Sequence, residues 1–350
     1  MMKRDVRRRE FLAGTAAVAG AGVFGLPRLG RAQDKTLVVN TYGGRYEDFM
    51  RSTIIPGFEG ETGAKLEVAV GLGKEWLAQL RAAGVDDPPY DVLMTNEAWA
   101  SIERAEGFFE SLPEDKVPNM ADLYPVARLP QDNGVIAIMQ PIGLAYRTDM
   151  IETPPQSWKD LWKDEYRGKL GLYTITNSAG MMFLLMMARI FGGSQNDLDV
   201  AFREIEKLKP FAQIDFSGTV EIQLTRGEIG IAPLDYPAVA RLKEGGAPIE
   251  VAAPEEGLFM FEQVFNLLRG SDNKEIGYRW IDYNLRPDIQ EKWVREFYIS
   301  PANTKVEVPA DLKELIPISG ERTDEIVTFD WARANAERDQ IIERWNKTMR

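Results

Sequence analysis

Short β-branched runs that alternate with helix-patterned spans constrain this chain more than any other feature. Thr36-Leu37-Val38-Val39-Asn40 is such a run, and it is followed by Thr41 and Tyr42-Gly43-Gly44, where glycine permits a tight turn and close backbone approach. Phe49, Met50, Ile54 and Ile55 then recur at helical spacing, which predicts a helix over 46–58. The alternation repeats with a strand at 65–70, an amphipathic span at 76–83 and a strand at 90–94 that closes on Thr95-Asn96-Glu97. A chain so ordered is expected to build parallel sheet covered by helices, with its sites outside the carboxyl ends of the strands. The loops at Thr41–Gly44 and at Thr95-Asn96-Glu97 are therefore expected to share one edge. The glycine loop is neither a P-loop nor G-x-G-x-x-G, so it offers backbone amides to a ligand's polar groups without specifying a nucleotide.

Further strands are predicted at 135–139, 142–146, 169–174, 228–232 and 249–252, and helices at 274–285, 287–296 and 331–347. The strand at 169–174 feeds the polar loop Thr176-Asn177-Ser178 and a Met-rich helix at 181–191, whose methionines read as core packing. Pro233-Leu234-Asp235-Tyr236 follows the strand at 228–232 as a loop.

The first residues read as an address. Arg8-Arg9-Glu10-Phe11-Leu12, an apolar run over 13–26 and Gly30-Arg31-Ala32 form an n-region, an h-region and a small-x-small cleavage site, with a twin-arginine export motif. The run is shorter than the ~20 residues that span hydrocarbon, so a cleaved signal over 1–32 and a periplasmic destination are expected. Removing 32 of 350 residues leaves 318, long for one core and comfortable for two lobes. The leader holds seven basic and two acidic residues, so its loss takes the net charge from −12 to −17. Such a surface repels phosphate backbones, and nucleic acid is not an expected partner.

The chain has no cysteine and no histidine. That removes disulfides, thiol nucleophiles, imidazole bases, the Ser-His-Asp triad and His- or Cys-ligated metals. Neither a cofactor nor a metal is expected. Carboxylate-only hydrolysis survives as the enzymatic alternative, with Glu97 and Asp235 as its candidate pair.

The order of several motifs resembles the bacterial extracellular solute-binding proteins, in particular their spermidine/putrescine-binding branch. The resemblance is carried by Pro56-Gly57-Phe58-Glu59, Tyr90-Asp91-Val92, Gly143-Leu144-Ala145-Tyr146 and Ser157-Trp158-Lys159-Asp160-Leu161-Trp162. Gly227-Glu228-Ile229-Gly230, Pro254-Glu255-Glu256-Gly257, Leu285-Arg286-Pro287-Asp288 and Ser300-Pro301-Ala302-Asn303 continue it. It implies an α/β, two-lobed periplasmic-binding-protein fold of type II, each lobe a mixed, mostly parallel sheet flanked by helices. Lobe 1 is expected to take 33–143 with 264–300, and lobe 2 144–263 with 301–350. It further implies a monomer that closes on a small molecule between the lobes and docks on the permease and ATPase of an ABC importer.

Relatives in that branch hold ammonium groups with carboxylates and stack the methylene chain between aromatic rings. Carried over residue by residue, the first-strand loop supplies Thr41, Tyr42, Gly43 and Gly44, and a tyrosine of the branch falls near Glu97. Its acidic pair falls near Ser178 and Met181, and a tryptophan near Pro233, with Asp235 and Tyr236 just beyond. A Trp and an Asp on the second crossing strand fall on Phe261 and Gln263; strand alternation then turns Glu262 away. With so few acids in place, the expected ligand is a small amine-bearing or zwitterionic solute, whose carboxylate or hydroxyl meets Asn177, Ser178 and the Gly43-Gly44 amides. A ferric-iron receptor is the other alternative, although the chain has no Tyr-Tyr pair.

Overall fold

The computed structural model describes residues 36–349. The leader, with its twin-arginine motif and cleavage after Ala32, lies outside the described residues.

The first half opens with β1 (Thr36–Thr41), α1 (Arg45–Phe49) and α2 (Ile55–Thr62), joined by a π-turn over Met50–Ile54 into one continuous helix. β2 (Lys65–Val70), α3 (Gly73–Ala83), β3 (Val92–Thr95), α4 (Glu97–Ala105) and the long strand β4 (Val135–Arg147) follow. Next come β5 (Gly171–Tyr173), α5 (Ser178–Met187), α6 (Leu198–Glu206), β6 (Ala212–Ile214), α7 (Ser217–Arg226) and β7 (Ile231–Asp235). The remainder holds α8 (Tyr236–Glu244), β8 (Ile249–Ala252), β9 (Phe259–Leu267), α9 (Lys274–Leu285), α10 (Pro287–Phe297), β10 (Ser300–Pro301), α11 (Trp331–Ala336) and α12 (Arg338–Thr348).

Two strands tie two hydrophobic cores together. β2, β1 and β3 run parallel, β9 pairs antiparallel to β3, and β4 pairs antiparallel to β9. Ile138 and Met139 of β4 sit in the first core, whereas Ile142 and Leu144 sit in the second. β9 does the same, with Val264 and Phe265 in the first core and Phe259 in the second. β10 pairs with β4 at Ile138 and Met139, and β7 takes over the same flank from Ile142. Gln140 and Pro141 have no partner there, which is where a residue without an N–H fits inside a strand. The strands expected at 135–139 and 142–146 are thus one continuous strand that runs through this proline.

β5 and β6 form a parallel pair that joins β7 through a bridge between Leu170 and Ile231. β8 lies against β4 so closely that a Cβ on Gly143 would fall 2.4 Å from the Ala252 carbonyl oxygen, so only glycine fits. α5 is buried on every side from Ala179 to Met187, as a helix apolar all round must be, and its methionines are core as expected. Trp158 stacks on Phe259 at 5.0 Å in the same core, and Trp162 packs edge-on against Phe191.

The C-terminal stretch divides differently from the expected boundary at 301. Ala302, Val306, Ile316, Ile318 and Ile326 pack in the first core, and only Trp331, Ala334, Ile341, Trp345 and Met349 join the second. The reason is local: the Ala302 amide donates to Gln290 Oε1 and Asn303 Nδ2 to the Leu285 carbonyl, both at 2.9 Å, which pins the segment to α9 and α10. The chain thus crosses between the lobes a third time at 327–330.

Candidate functional site

The carboxyl ends of β1, β3, β5, β7 and the middles of β4 and β9 converge between the two cores. Gly44 makes the first turn possible, since φ 68° lies in the left-handed region. This turn sends Tyr42 against Trp76, with ring centroids 5.1 Å apart, and edge-on to Tyr46 at 5.9 Å. The Tyr46 hydroxyl and Gln140 Oε1 are 3.1 Å apart, linking the opening helix to the unpaired step of β4. From the other lobe, Tyr173 meets Phe261 edge-on at 6.2 Å and donates to Ser217 Oγ. Burial pushes the Tyr42, Tyr46 and Tyr173 phenols up, and nearby carboxylates add to it: Glu262 at Tyr42, Asp235 at Tyr46 and Tyr173.

Two acids stand in this aromatic group. Asp235 caps α8 by accepting the Ala238 amide at 2.9 Å; burial pushes its carboxyl up to about 6, against the pull of Arg241 and that amide. Glu262 accepts the Glu97 amide at 2.7 Å, and burial pushes it up to about 8, with the Glu97 charge adding and the Glu97 N–H opposing. Neither forms an ion pair among the described residues. Thr41 Oγ1 at the end of β1, Asn96 Oδ1 just past β3 and Gln263 Oε1 next to Glu262 in β9 are buried polar atoms without protein partners. Such atoms cost free energy until a polar group meets them.

The remaining expected residues are placed as follows. Glu97 is held by Arg104 through two bonds of 2.6 and 2.9 Å, so its charge is already matched. Asn177 caps α5 by accepting the Ala179 amide and donates to the Asp215 carbonyl, which commits its amide locally. Ser178 follows it in the first turn of α5, half-buried. Tyr236 is buried in the first core, against Gly143 and within the field of Arg322 and Glu325. Gly43 and Gly44 are exposed.

An open cavity of about 1110 Å³ lies between the lobes on the α4 side. The alternation expected along β9 holds: Met260 and Glu262 line the cavity, whereas Phe261 turns the other way, onto Tyr173. Alternation says that neighbours face opposite ways, but only the packing of α4 beside β9 decides which face meets open space. Of the residues expected from the sequence, Glu97 alone reaches this cavity. Trp99 and Arg104 of α4, and Asn335 and Arg338 from the C-terminal helices, were not anticipated. The sequence signal available was the Trp99–Arg104 stretch beside the strand-end Glu97; nothing marked Arg338. Among the described residues no cluster of three carboxylates could hold a metal ion, and no helix is long and apolar enough to cross a membrane.

A model of the bacterial extracellular solute-binding proteins matches residues 87–326. The spermidine/putrescine-binding periplasmic protein of Escherichia coli is 24% identical over 285 residues, 78% of this chain and 79% of that one. The γ-aminobutyric acid-binding protein of Pseudomonas aeruginosa is 22% identical over 334 residues, 90% of this chain and 92% of that one. In structure, an ABC transporter from Clostridium perfringens superposes with a TM-score of 0.79 at 24% identity, covering 90% of this chain and 100% of that one. With two cores joined by crossing strands, polar groups converging between them and this match, the chain belongs to the bacterial extracellular solute-binding protein family, the binding components of ABC importers.

Proposed function

We propose that the chain captures a small amine-bearing solute between its lobes and delivers it, as a monomer in the periplasm, to the permease and ATPase of an ABC importer. Export follows the twin-arginine motif at Arg8-Arg9, with cleavage near Ala32. The observation that carries the ligand class is the pair Asp235 and Glu262: two buried carboxyls, each in no ion pair among the described residues, set against tyrosine rings. An ammonium group satisfies both features, since it pairs with a carboxylate and is drawn to ring faces. Tyr42 and Phe261 supply aromatic surface, and Thr41, Gln263 and the amides at Gly43, Gly44 and Ser178 meet the solute's remaining polar atoms. Relatives named for spermidine, putrescine and γ-aminobutyric acid all take amines.

Closure around the solute removes it from water, and only a ligand that prefers the closed form shifts the equilibrium toward it. Mass spectrometry of solute co-purified with the mature protein, followed by a thermal-shift series, tests this reading. An amine is expected, with a midpoint that climbs with its concentration. Stabilisation by dicarboxylates and by no amine overturns it.

A further inference from the structure

Four arginines line the interlobe cavity, and three are matched by carboxylates. Arg81 binds Glu106, Arg104 binds Glu97 and Arg128 binds Glu114. Arg338 has no carboxylate within ion-pair distance among the described residues. It is nonetheless held in place: its Nη2 and Nε donate to Asn335 Oδ1 at 2.8 and 3.3 Å, Nη2 also reaches the Ala98 carbonyl at 3.4 Å, and the guanidinium lies 4.9 Å over the Trp99 ring. Asn335 is itself fixed, because its Nδ2 donates to Ser101 Oγ at 2.8 Å. Nη1 donates to no described residue. Burial holds the guanidinium below its usual range, with Asp339 next in sequence opposing.

We propose that Arg338 receives the carboxylate of a zwitterionic ligand whose ammonium group lies at Glu262, and that this selects short amino acids over diamines. The proposal rests on the amine reading above and adds the second charge. A guanidinium kept partly out of water with no carboxylate within ion-pair distance is unfavourable until an anion arrives, and its planar fork suits a carboxylate. Glu262 and Arg338 are anchored on consecutive residues of α4, the Glu97 amide and the Ala98 carbonyl, whose Cα atoms stand ~3.8 Å apart. The two opposite charges therefore flank the first turn of α4 in one cavity, which fits a ligand that carries an ammonium group at one end and a carboxylate at the other. A diamine in the same pose brings a second cation to Arg338, and like-charge contact in a partly desolvated site opposes it.

Titration calorimetry with three ligands of equal length, 4-aminobutanoate, 1,4-diaminobutane and butanedioate, tests the assignment on the mature protein and on Arg338→Gln and Arg338→Lys. The wild type is expected to prefer 4-aminobutanoate to 1,4-diaminobutane. Arg338→Gln should lower that preference by at least about tenfold, as loss of a charge-assisted pair implies. Arg338→Lys should fall between them, because it keeps the charge and loses the fork. The ratio of two affinities within one protein is insensitive to a partial folding defect. An unchanged ratio in Arg338→Gln, with amines still bound, overturns the role of Arg338 alone. Binding of butanedioate and of neither amine overturns the amine reading as well.

Discussion

Glu262 accepts the backbone N–H of Glu97 at 2.7 Å, so a buried carboxyl on the second crossing strand ties that strand to the first turn of α4. The acid is thereby fixed where the two lobes meet, beside Tyr42 and facing the cavity.

This carboxyl makes stability depend on pH. With a folded value of about 8 against an ordinary 4.5, the folded protein keeps a proton that the unfolded chain has released in between. Its contribution is therefore full below about 4.5 and is lost as pH rises toward about 8, and Asp235 adds the same trend up to about 6. Urea unfolding of the ligand-free protein at about pH 5 and about pH 8.5 should show the fall. Glu262→Gln, which keeps an acceptor for the Glu97 amide, should flatten it.

An ammonium ligand reverses the preference at the same group, because it favours the ionised carboxylate. Binding then releases a proton below about pH 8, so affinity for an amine should rise with pH from 6 to 8, by at most about tenfold per unit. Calorimetry in buffers of different ionisation enthalpy reads the proton directly. Glu262→Gln should bind amines about 10- to 100-fold more weakly and release no proton there.

Asp235 separates a structural role from a ligand role. Asp235→Asn preserves an acceptor for the Ala238 amide, so its unfolding midpoint should stay near wild type while amine affinity falls. Asp235→Ala loses the cap too and should cost about 1 kcal/mol of stability in addition. Equal affinity in Asp235→Asn and wild type would show that the residue is only a cap.

Tyr298 and Glu244 form a contact between the lobes, the hydroxyl donating to the carboxylate at 2.5 Å. Tyr298→Phe should weaken ligand binding by roughly 2- to 10-fold, the worth of one such bond, chiefly through faster dissociation. Stopped-flow fluorescence measures it, and an unchanged off-rate argues against a closure role.

Gly180 opens the first turn of α5 directly over the β5 loop. A Cβ there would lie 2.1 Å from the Thr174 carbonyl oxygen and 2.9 Å from that of Tyr173, backbone atoms that cannot yield without moving the strand end. Gly180→Ala should cost about 1–3 kcal/mol, whereas Gly60→Ala, on an exposed face of α2 with nothing within 4 Å, should stabilise by about 0.5–1 kcal/mol. Denaturant melts of the two variants check the contrast.

Periodicity made most elements readable. The helix at 274–285, the strand at 249–252 and the all-buried methionines of α5 follow from local pattern, because burial of one face imposes a repeat on the chain. It failed where the punctuation misleads. β7 runs from Ile231 to Asp235, three residues beyond the expected stretch, because Pro233 pairs with Leu144 inside the strand and does not end it. The span at 331–347 is two helices, broken at Glu337 without a glycine or proline to announce it.

The class of molecule was legible in the sequence alone: an alternating α/β chain with no histidine or cysteine, and motifs in the order of a solute-binding family. Those properties are written in local repeats and in composition, which need no third dimension. Tertiary structure decided which of these side chains meet. Only the packing of α4 against β9 and the C-terminal helices turns Glu262 toward open space, matches Glu97 with Arg104 and leaves Arg338 unmatched. The bonds that tie Glu262 and Arg338 to α4 join residues 165 and 240 positions apart, and separations of that size carry no period that a single sequence could reveal.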